Sequence, residues 1–156
     1  MKPRTQEWVD KAEGDFITAE RELEATQAPN YDSVCFHAQQ CVEKYFKARL
    51  YEADIPFSKI HDLRVLLKSL LPLEPTWQQW EKALTDLTMA AVEVRYPGFF
   101  ANEEVATEMY EQCAEVRQAV RQSLGLVMRG KLSFSRFCQA LDMVDTKASN
   151  AKYGYG

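Results

Sequence analysis

The chain has 156 residues, which is the size of one domain. Of these residues 46% are hydrophobic and 27% are charged, and this composition excludes collagen-like, low-complexity and broadly disordered proteins. The 19 basic and 23 acidic residues give a net charge of −4. That balance argues against a general duplex-DNA-binding protein, because phosphate binding requires a basic face. The six glycines and six prolines are too few for the many turns of an all-β fold.

The sequence contains no recognisable targeting, membrane or metal signal. The first residues, MKPRTQEW, are polar, so we expect no signal peptide. No stretch approaches the roughly 18 apolar residues of a membrane span. The four cysteines include no Cys-x-x-Cys pair and predict neither a zinc site nor a disulfide framework. We therefore expect a cytoplasmic protein with reduced, mostly buried thiols, no membrane association, no bound metal and no cofactor.

Apolar residues spaced by three and four predict a series of helices, and the prolines fall between them. Asn30 and Asn102 are suited to cap the second and fifth helices, and Gly125 is suited to end the fifth. No segment alternates apolar and polar residues at period two. The predicted fold class is all-α, an up-and-down antiparallel bundle of four to five helices. The predicted helices span Thr5 to about Thr26, Asn30 to about Asp54, His61 to about Leu71, Pro75 to about Val94, and Asn102 to about Leu124.

The composition changes after Leu126. Residues 127–156 hold five Lys/Arg and two Asp/Glu, which gives this region a net charge of +3. Residues 1–126 therefore hold 14 Lys/Arg and 21 Asp/Glu, which gives them a net charge of −7. The stretch from Ser135 to Val144 has the spacing of one short amphipathic helix, and the final SNAKYGYG is typical of a loose tail. We therefore predict a helical bundle over 1–126 and a C-terminal extension, a short helix or a flexible tail, over 127–156.

Several polar residues of the predicted bundle have both a structural and a functional interpretation. His37, on the core-facing edge of the second helix, is either a buried histidine bonded to a neighbour or a functional group. His61 either caps or packs at the start of the third helix, or faces a site. Lys44, Lys47 and Arg49 are typical of a solvated helix face, and Arg49 is equally suited to buttress the bundle. No Walker loop, GxGxxG or GxSxG motif occurs, and the absence of Glu-x-x-His excludes a di-iron bundle site.

The most unusual segment is Glu93-Val94-Arg95-Tyr96-Pro97-Gly98. Arg95 stands where a long helix meets a proline-fixed turn. An arginine there either neutralises the negative end of the helix dipole or presents a guanidinium in fixed geometry to a phosphate. The residues alone leave both interpretations open.

Three stretches together resemble the HEPN family over about residues 5–126. They are FHAQQCVEK (36–44), His61-Asp62-Leu63 and Val94-Arg95-Tyr96-Pro97. The resemblance implies a helical bundle that usually pairs as a homodimer. Prokaryotic members are often encoded beside a minimal nucleotidyltransferase and act with it as a toxin–antitoxin module. Many members are metal-independent ribonucleases that leave a 2′,3′-cyclic phosphate, and other members bind nucleotides or polyanions.

The ribonuclease motif of that family is an arginine followed after four to six residues by a histidine. Arg95 matches the arginine, but Phe100, Ala101 and Asn102 occupy the three positions where the histidine is expected. Asparagine does not shuttle protons near neutral pH, whereas histidine does. The resemblance makes Arg95 and Asn102 the candidate catalytic positions, and Tyr96 the candidate tyrosine for AMP transfer from a nucleotidyltransferase. The candidate nucleotide-binding residues are Arg95, Tyr96, His61, Lys44 and Lys47.

These features favour a homodimeric module that binds a nucleotide, a polyanion such as RNA, or a partner protein, in a toxin–antitoxin-like pair with a nucleotidyltransferase. The alternative hypothesis is a metal-independent ribonuclease toxin with a degenerate motif. A third interpretation is a bundle that serves only as a dimer partner.

Overall fold

The computed structural model describes residues 1–126 and contains no β-strand within that range. The predicted all-α fold is confirmed. The predicted helix from Ser135 to Val144 lies outside the described residues. The helices are α1 (Pro3–Glu24), α2 (Tyr31–Glu52), α3 (Leu63–Leu70), a 3₁₀ helix (Pro75–Trp80), α4 (Glu81–Glu93) and α5 (Glu103–Ser123).

The prediction of one continuous helix from Pro75 is wrong, because a 3₁₀ helix precedes α4. Trp77 and Trp80 are both buried, and the three-residue turn of a 3₁₀ helix puts positions i and i+3 on the same side. Their rings lie 5.5 Å apart, and Trp77 stacks on Phe46 of α2 at 5.9 Å. The tighter helix therefore allows both indoles to reach the core.

Helix α3 begins at Leu63 and not at the predicted His61. The carboxylate of Asp62 accepts a 2.9 Å hydrogen bond from the backbone N–H of Arg64, so Asp62 is the N-cap of α3. The predicted caps Asn30 and Asn102 are confirmed, since their side chains accept bonds from Ser33 N and Val105 N.

Helix α2 is the centre of the bundle. Of its 22 residues, 12 are buried, and it contacts α1, α3, α4 and α5. The residues that follow one another along it at steps of three and four are buried: Val34, Ala38, Cys41, Tyr45 and Ala48. Among the described residues, Cys35, Cys41 and Cys113 are free and buried. The site residues on α2 are therefore held by a helix with little freedom to move.

Polar contacts tie the outer helices to this centre. Glu13 of α1 accepts two hydrogen bonds from Arg117 of α5, at 2.6 and 2.8 Å, and one from the Tyr45 hydroxyl. Burial alone would raise the pKa of Glu13, but these hydrogen bonds outweigh it and hold the pKa below its ordinary value. Arg49 bonds Glu74 and Ser123 at 3.1 and 2.7 Å, which agrees with the buttressing alternative and not with a solvated face. Over residues 1–126, none of the helices combines the length and the apolar character needed to cross a membrane.

Candidate functional site

Arg95 follows directly on the end of α4 and lies against α2. After α4 the backbone tightens, with Arg95 N bonded to Val92 O at 3.2 Å and Tyr96 N to Glu93 O at 3.1 Å. These bonds span three residues and not four, which is common at helix ends. The turn brings the Arg95 guanidinium carbon 5.1 Å from the centroid of the Phe36 ring. At that distance the ring face attracts the cation.

The segment after Arg95 is fastened to the beginning of α2 at its other end. The backbone N–H of Ala101 donates a 2.7 Å hydrogen bond to Asp32, in the first turn of α2. Between the two attachments, Gly98 has a φ of +100°, which side-chain-bearing residues rarely adopt. Arg95 thus belongs to a short loop that is held at both ends.

A shallow cleft of about 310 Å³ lies beside this loop. Arg95 is exposed, and among residues 1–126 no carboxylate forms an ion pair with it. The guanidinium therefore has its hydrogen-bond donors available to an anion. The cleft is lined by Asn30, Asp32, Ser33, Phe36, Val94 and Arg95.

The thiol nearest to this cleft is not a nucleophile. Burial and the charge of Asp32 raise the pKa of Cys35 to about 11. Since the thiolate is the reactive form, Cys35 stays protonated and inert near neutral pH.

Asn102 serves as a helix cap. Its side-chain oxygen accepts a 2.9 Å hydrogen bond from Val105 N at the start of α5. Phe100, two residues before Asn102, has 83% of its surface exposed, and neither it nor Ala101 carries a titratable group. None of positions 100 to 102 therefore provides a proton acceptor close to Arg95.

The expectation that Lys44 and Lys47 lie on a solvated face is wrong. The Lys47 side chain is 7% exposed, and its ammonium nitrogen lies 2.6 Å from Glu43 Oε1. Lys44 is ion-paired with Asp15 of α1, and its side chain is 22% exposed. Each lysine is accommodated because a carboxylate compensates its charge.

His61 is bound to the same carboxylate as Lys47. Its Nδ1 lies 3.1 Å from Glu43 Oε1, while its side chain remains 74% exposed. Burial would raise the pKa of Glu43, but hydrogen bonds from Lys47 and His61 outweigh it and lower the pKa. Glu43, Lys47 and His61 form one charge cluster, which sequence reasoning did not recognise as a unit.

The candidate nucleotide-binding residues do not gather at one point. Arg95 lies against the Phe36 ring, and Tyr96, the next residue, is 65% exposed. Glu43 and Lys47 follow Phe36 by seven and eleven residues, which is about 10 and 16 Å of helix. Lys47 is therefore too far along α2 to share a phosphate with Arg95. His61 is bound to Glu43 of that same distant stretch, so it is not close to Arg95 either.

His37 has a partner that sequence reasoning missed. Its Nδ1 lies 2.8 Å from Asp15 Oδ1, and Asp15 is buried, with 9% of its surface exposed. The signal was present in the sequence, because Asp15 lies within the apolar stripe of α1 between Ala12 and Ala19. A carboxylate in such a position requires a polar or charged partner.

Over residues 1–126, no three His, Cys, Asp or Glu side chains are grouped so that they could hold a metal ion. The arrangement around Arg95 is suited to binding an anion through a fixed guanidinium.

Comparison with protein families matches residues 5–123 to the model described as HEPN domain. The matched range includes α1 from Thr5 onward, the whole of α2 to α5, and every candidate site residue. No curated protein and no solved structure matched the chain.

Proposed function

Because the chain belongs to the HEPN domain family, we propose that it is a homodimeric binding module in which Arg95 holds a phosphate of a nucleotide or of RNA. The observation that supports this function is the exposed guanidinium of Arg95, which is held on the Phe36 ring and has no ion-pair partner among residues 1–126. A positioned guanidinium binds phosphate through two parallel hydrogen bonds.

The homodimer is supported by apolar side chains on α4 and the loop after it. Met89, Val92, Tyr96 and Phe100 have 54%, 49%, 65% and 83% of their surfaces exposed, and we call them the α4 surface. Large exposed apolar groups that follow one another mark interaction sites. HEPN proteins often pair, and a two-fold contact between identical surfaces would place both Arg95 residues near the same interface.

The proposed partner is a minimal nucleotidyltransferase that acts with this chain in a toxin–antitoxin-like pair. Tyr96 is the proposed acceptor of AMP, since its exposed side chain directly follows Arg95. A phosphate attached there would add negative charge within reach of the guanidinium and compete with any other anion. Incubation with a nucleotidyltransferase and ATP, followed by mass spectrometry of wild type and Tyr96→Phe, tests this assignment.

Metal-independent RNA cleavage is the second candidate function, and Arg95 supports it because a guanidinium stabilises charge that develops on phosphorus. The cap role of Asn102 means that cleavage requires a proton acceptor from outside the loop.

Binding is tested by titrating ATP, GTP and a fluorescent 2′-O-methyl RNA, which lacks the nucleophilic hydroxyl, into the full chain. Arg95→Ala should weaken binding about tenfold or more, since a hydrogen bond to a charged group contributes about 1.5–3 kcal/mol. Arg64→Ala is the matched control, because Arg64 is exposed and paired with Asp62 on α3. Equal affinities of wild type and Arg95→Ala would refute the assignment.

The dimer is tested separately by light scattering after size exclusion. A charge placed on the α4 surface by Val92→Asp should convert the dimer to a monomer, because an unpaired buried charge is costly. Ile17→Asp is the control, since Ile17 is 42% exposed on α1. A monomeric wild type, or a Val92→Asp variant that stays dimeric, would count against this interface.

A further inference from the structure

We propose that His37, oriented by Asp15, is the proton acceptor of an RNA-cleaving site that it forms with Arg95 within one protomer. This inference rests on the proposed binding of RNA phosphate at Arg95. It assigns the imidazole to α2, outside the loop where the family motif expects one.

The first step is the orientation of the ring. A carboxylate only accepts hydrogen bonds, so the 2.8 Å contact between His37 Nδ1 and Asp15 Oδ1 requires the proton on Nδ1. In the neutral imidazole Nε2 is then unprotonated and available as a base. Among residues 1–126 the structure gives Nε2 no hydrogen-bond partner. A buried carboxylate that fixes the tautomer of a histidine is the usual support of a histidine general base.

The second step is the rigidity of the support. Asp15 is buried, and its second oxygen is ion-paired with Lys44. Lys44 thus holds the carboxylate that holds the imidazole. The His37 side chain is 27% exposed, so the imidazole is only partly covered by its neighbours.

The third step is the distance to Arg95. The Phe36 ring centroid is 5.1 Å from the Arg95 guanidinium carbon and 5.2 Å from the His37 ring centroid. No more than about 10 Å therefore separates the guanidinium from the imidazole, a gap that one ribose-phosphate unit and two hydrogen bonds of about 3 Å each can bridge. Phe36 is the common neighbour of both groups.

The reaction is an internal transfer at phosphorus. The ribose 2′-oxygen forms a bond to phosphorus while its proton passes to His37 Nε2, and the bond from phosphorus to the 5′-oxygen breaks. The leaving 5′-oxygen takes a proton from water, and the imidazolium returns its proton to the resulting hydroxide. The products are a 2′,3′-cyclic phosphate and a 5′-hydroxyl. Arg95 stabilises the charge on the phosphoryl oxygens.

The test combines cleavage of single-stranded RNA in EDTA with binding of its 2′-O-methyl analogue. His37→Asn is the informative variant, because its amide N–H can keep the hydrogen bond to Asp15 while Nε2 is lost. We expect this variant to be folded and to bind the analogue like wild type. It should cleave the RNA at least about 100-fold more slowly than wild type, which is the effect expected when a general base is lost. Asp15→Asn should slow cleavage as well, and Asp86→Asn is its control, since Asp86 is ion-paired with Lys82 at 2.8 Å on α4. Arg95→Ala, purified identically, controls for contaminating nucleases.

Chemical rescue separates chemistry from structure. His37→Ala should regain cleavage in the presence of free imidazole, whereas Arg95→Ala should not. Binding of the analogue without cleavage by wild type would overturn the inference and leave the proposed function in place. Undiminished cleavage by His37→Asn would also overturn it. Failure of wild type to bind the analogue would refute the RNA-binding function on which the inference rests, and the inference with it.

Discussion

Arg95, which follows α4, is positioned by Phe36 of α2, with its guanidinium carbon 5.1 Å from the ring centroid. The contact joins the end of one helix to the beginning of another that is far away in sequence. The ring restricts where the cation can lie. Both the phosphate-binding proposal and the assignment of His37 depend on this placement.

Replacing Phe36 by leucine should therefore weaken RNA binding without unfolding the bundle. Leucine keeps most of the apolar contact but lacks a ring face, and an exposed cation–π contact contributes about 0.5–1 kcal/mol. We expect affinity for the 2′-O-methyl RNA to fall about two- to fivefold by fluorescence anisotropy. Phe57→Leu is the control, since Phe57 packs edge-on against Trp8 at 6.2 Å. A loss of equal size in both variants would show that Phe36 acts only through general packing.

Asn102 should affect stability and not RNA cleavage. Removal of an N-cap side chain costs about 1 kcal/mol, so Asn102→Ala should lower the free energy of unfolding measured in urea. Asn30→Ala should lower it by a similar amount, because Asn30 caps α2 in the same way. Asn102→Asp should stay close to wild type, since aspartate also caps well. A folded Asn102→Asp variant that binds RNA but no longer cleaves it would instead give Asn102 a part in the chemistry.

The sequence was a good guide to features that depend on local spacing. The buried stripe of α2 follows from apolar residues at helical period, and the caps Asn30 and Asn102 follow from residue type beside a helix start. The 3₁₀ helix was missed because it forms where both Trp77 and Trp80 pack into the core. The positions of the core residues around them are determined only in the folded bundle.

The charge pairings depend on three-dimensional neighbours. Residue type alone places Lys47 on a solvated face, whereas its ammonium nitrogen lies 2.6 Å from the Glu43 carboxylate in the interior. The partner of His37 is 22 residues away on another helix. Spacing within one helix carries no information about such contacts, so the sequence could nominate Arg95 but could not place an imidazole beside it.

Glu43 and Lys47 should be strongly coupled in stability. Glu43→Gln leaves the buried Lys47 ammonium without its counter-charge, which should cost about 3 kcal/mol. The double variant Glu43→Leu with Lys47→Met should recover most of that loss, because two apolar groups leave no buried charge. Urea unfolding of Glu43→Leu, of Lys47→Met and of the double variant gives the coupling free energy. Additive effects would mean that the two groups do not depend on each other in the folded state.

The same carboxylate should make the fold sensitive to acid. The pKa of Glu43 is lowered from its ordinary value of 4.5, so the folded state holds the proton less tightly than the unfolded state does. Its stabilising contribution is present above the unfolded pKa and is lost as pH falls through the folded one. Unfolding free energies measured between about pH 6 and pH 3 should therefore fall more steeply for wild type than for Glu43→Gln. Parallel curves would exclude Glu43 as a source of the acid sensitivity.

Two glycine-to-alanine changes should act in opposite directions. Gly98 has a φ of +100° in the loop that carries Arg95, and a side chain there should cost about 1–2 kcal/mol. Gly14 lies inside α1, and a Cβ added to it meets nothing within 4 Å, so Gly14→Ala should stabilise by about 0.5–1 kcal/mol. Urea unfolding measures both changes. The strain in Gly98→Ala lies in the loop that is attached at Phe36 and Asp32 and that carries Arg95. The Gly98→Ala variant should therefore also bind RNA more weakly, whereas the Gly14→Ala variant should bind RNA like wild type. Unchanged affinity in Gly98→Ala would mean that the loop tolerates a different backbone without moving Arg95.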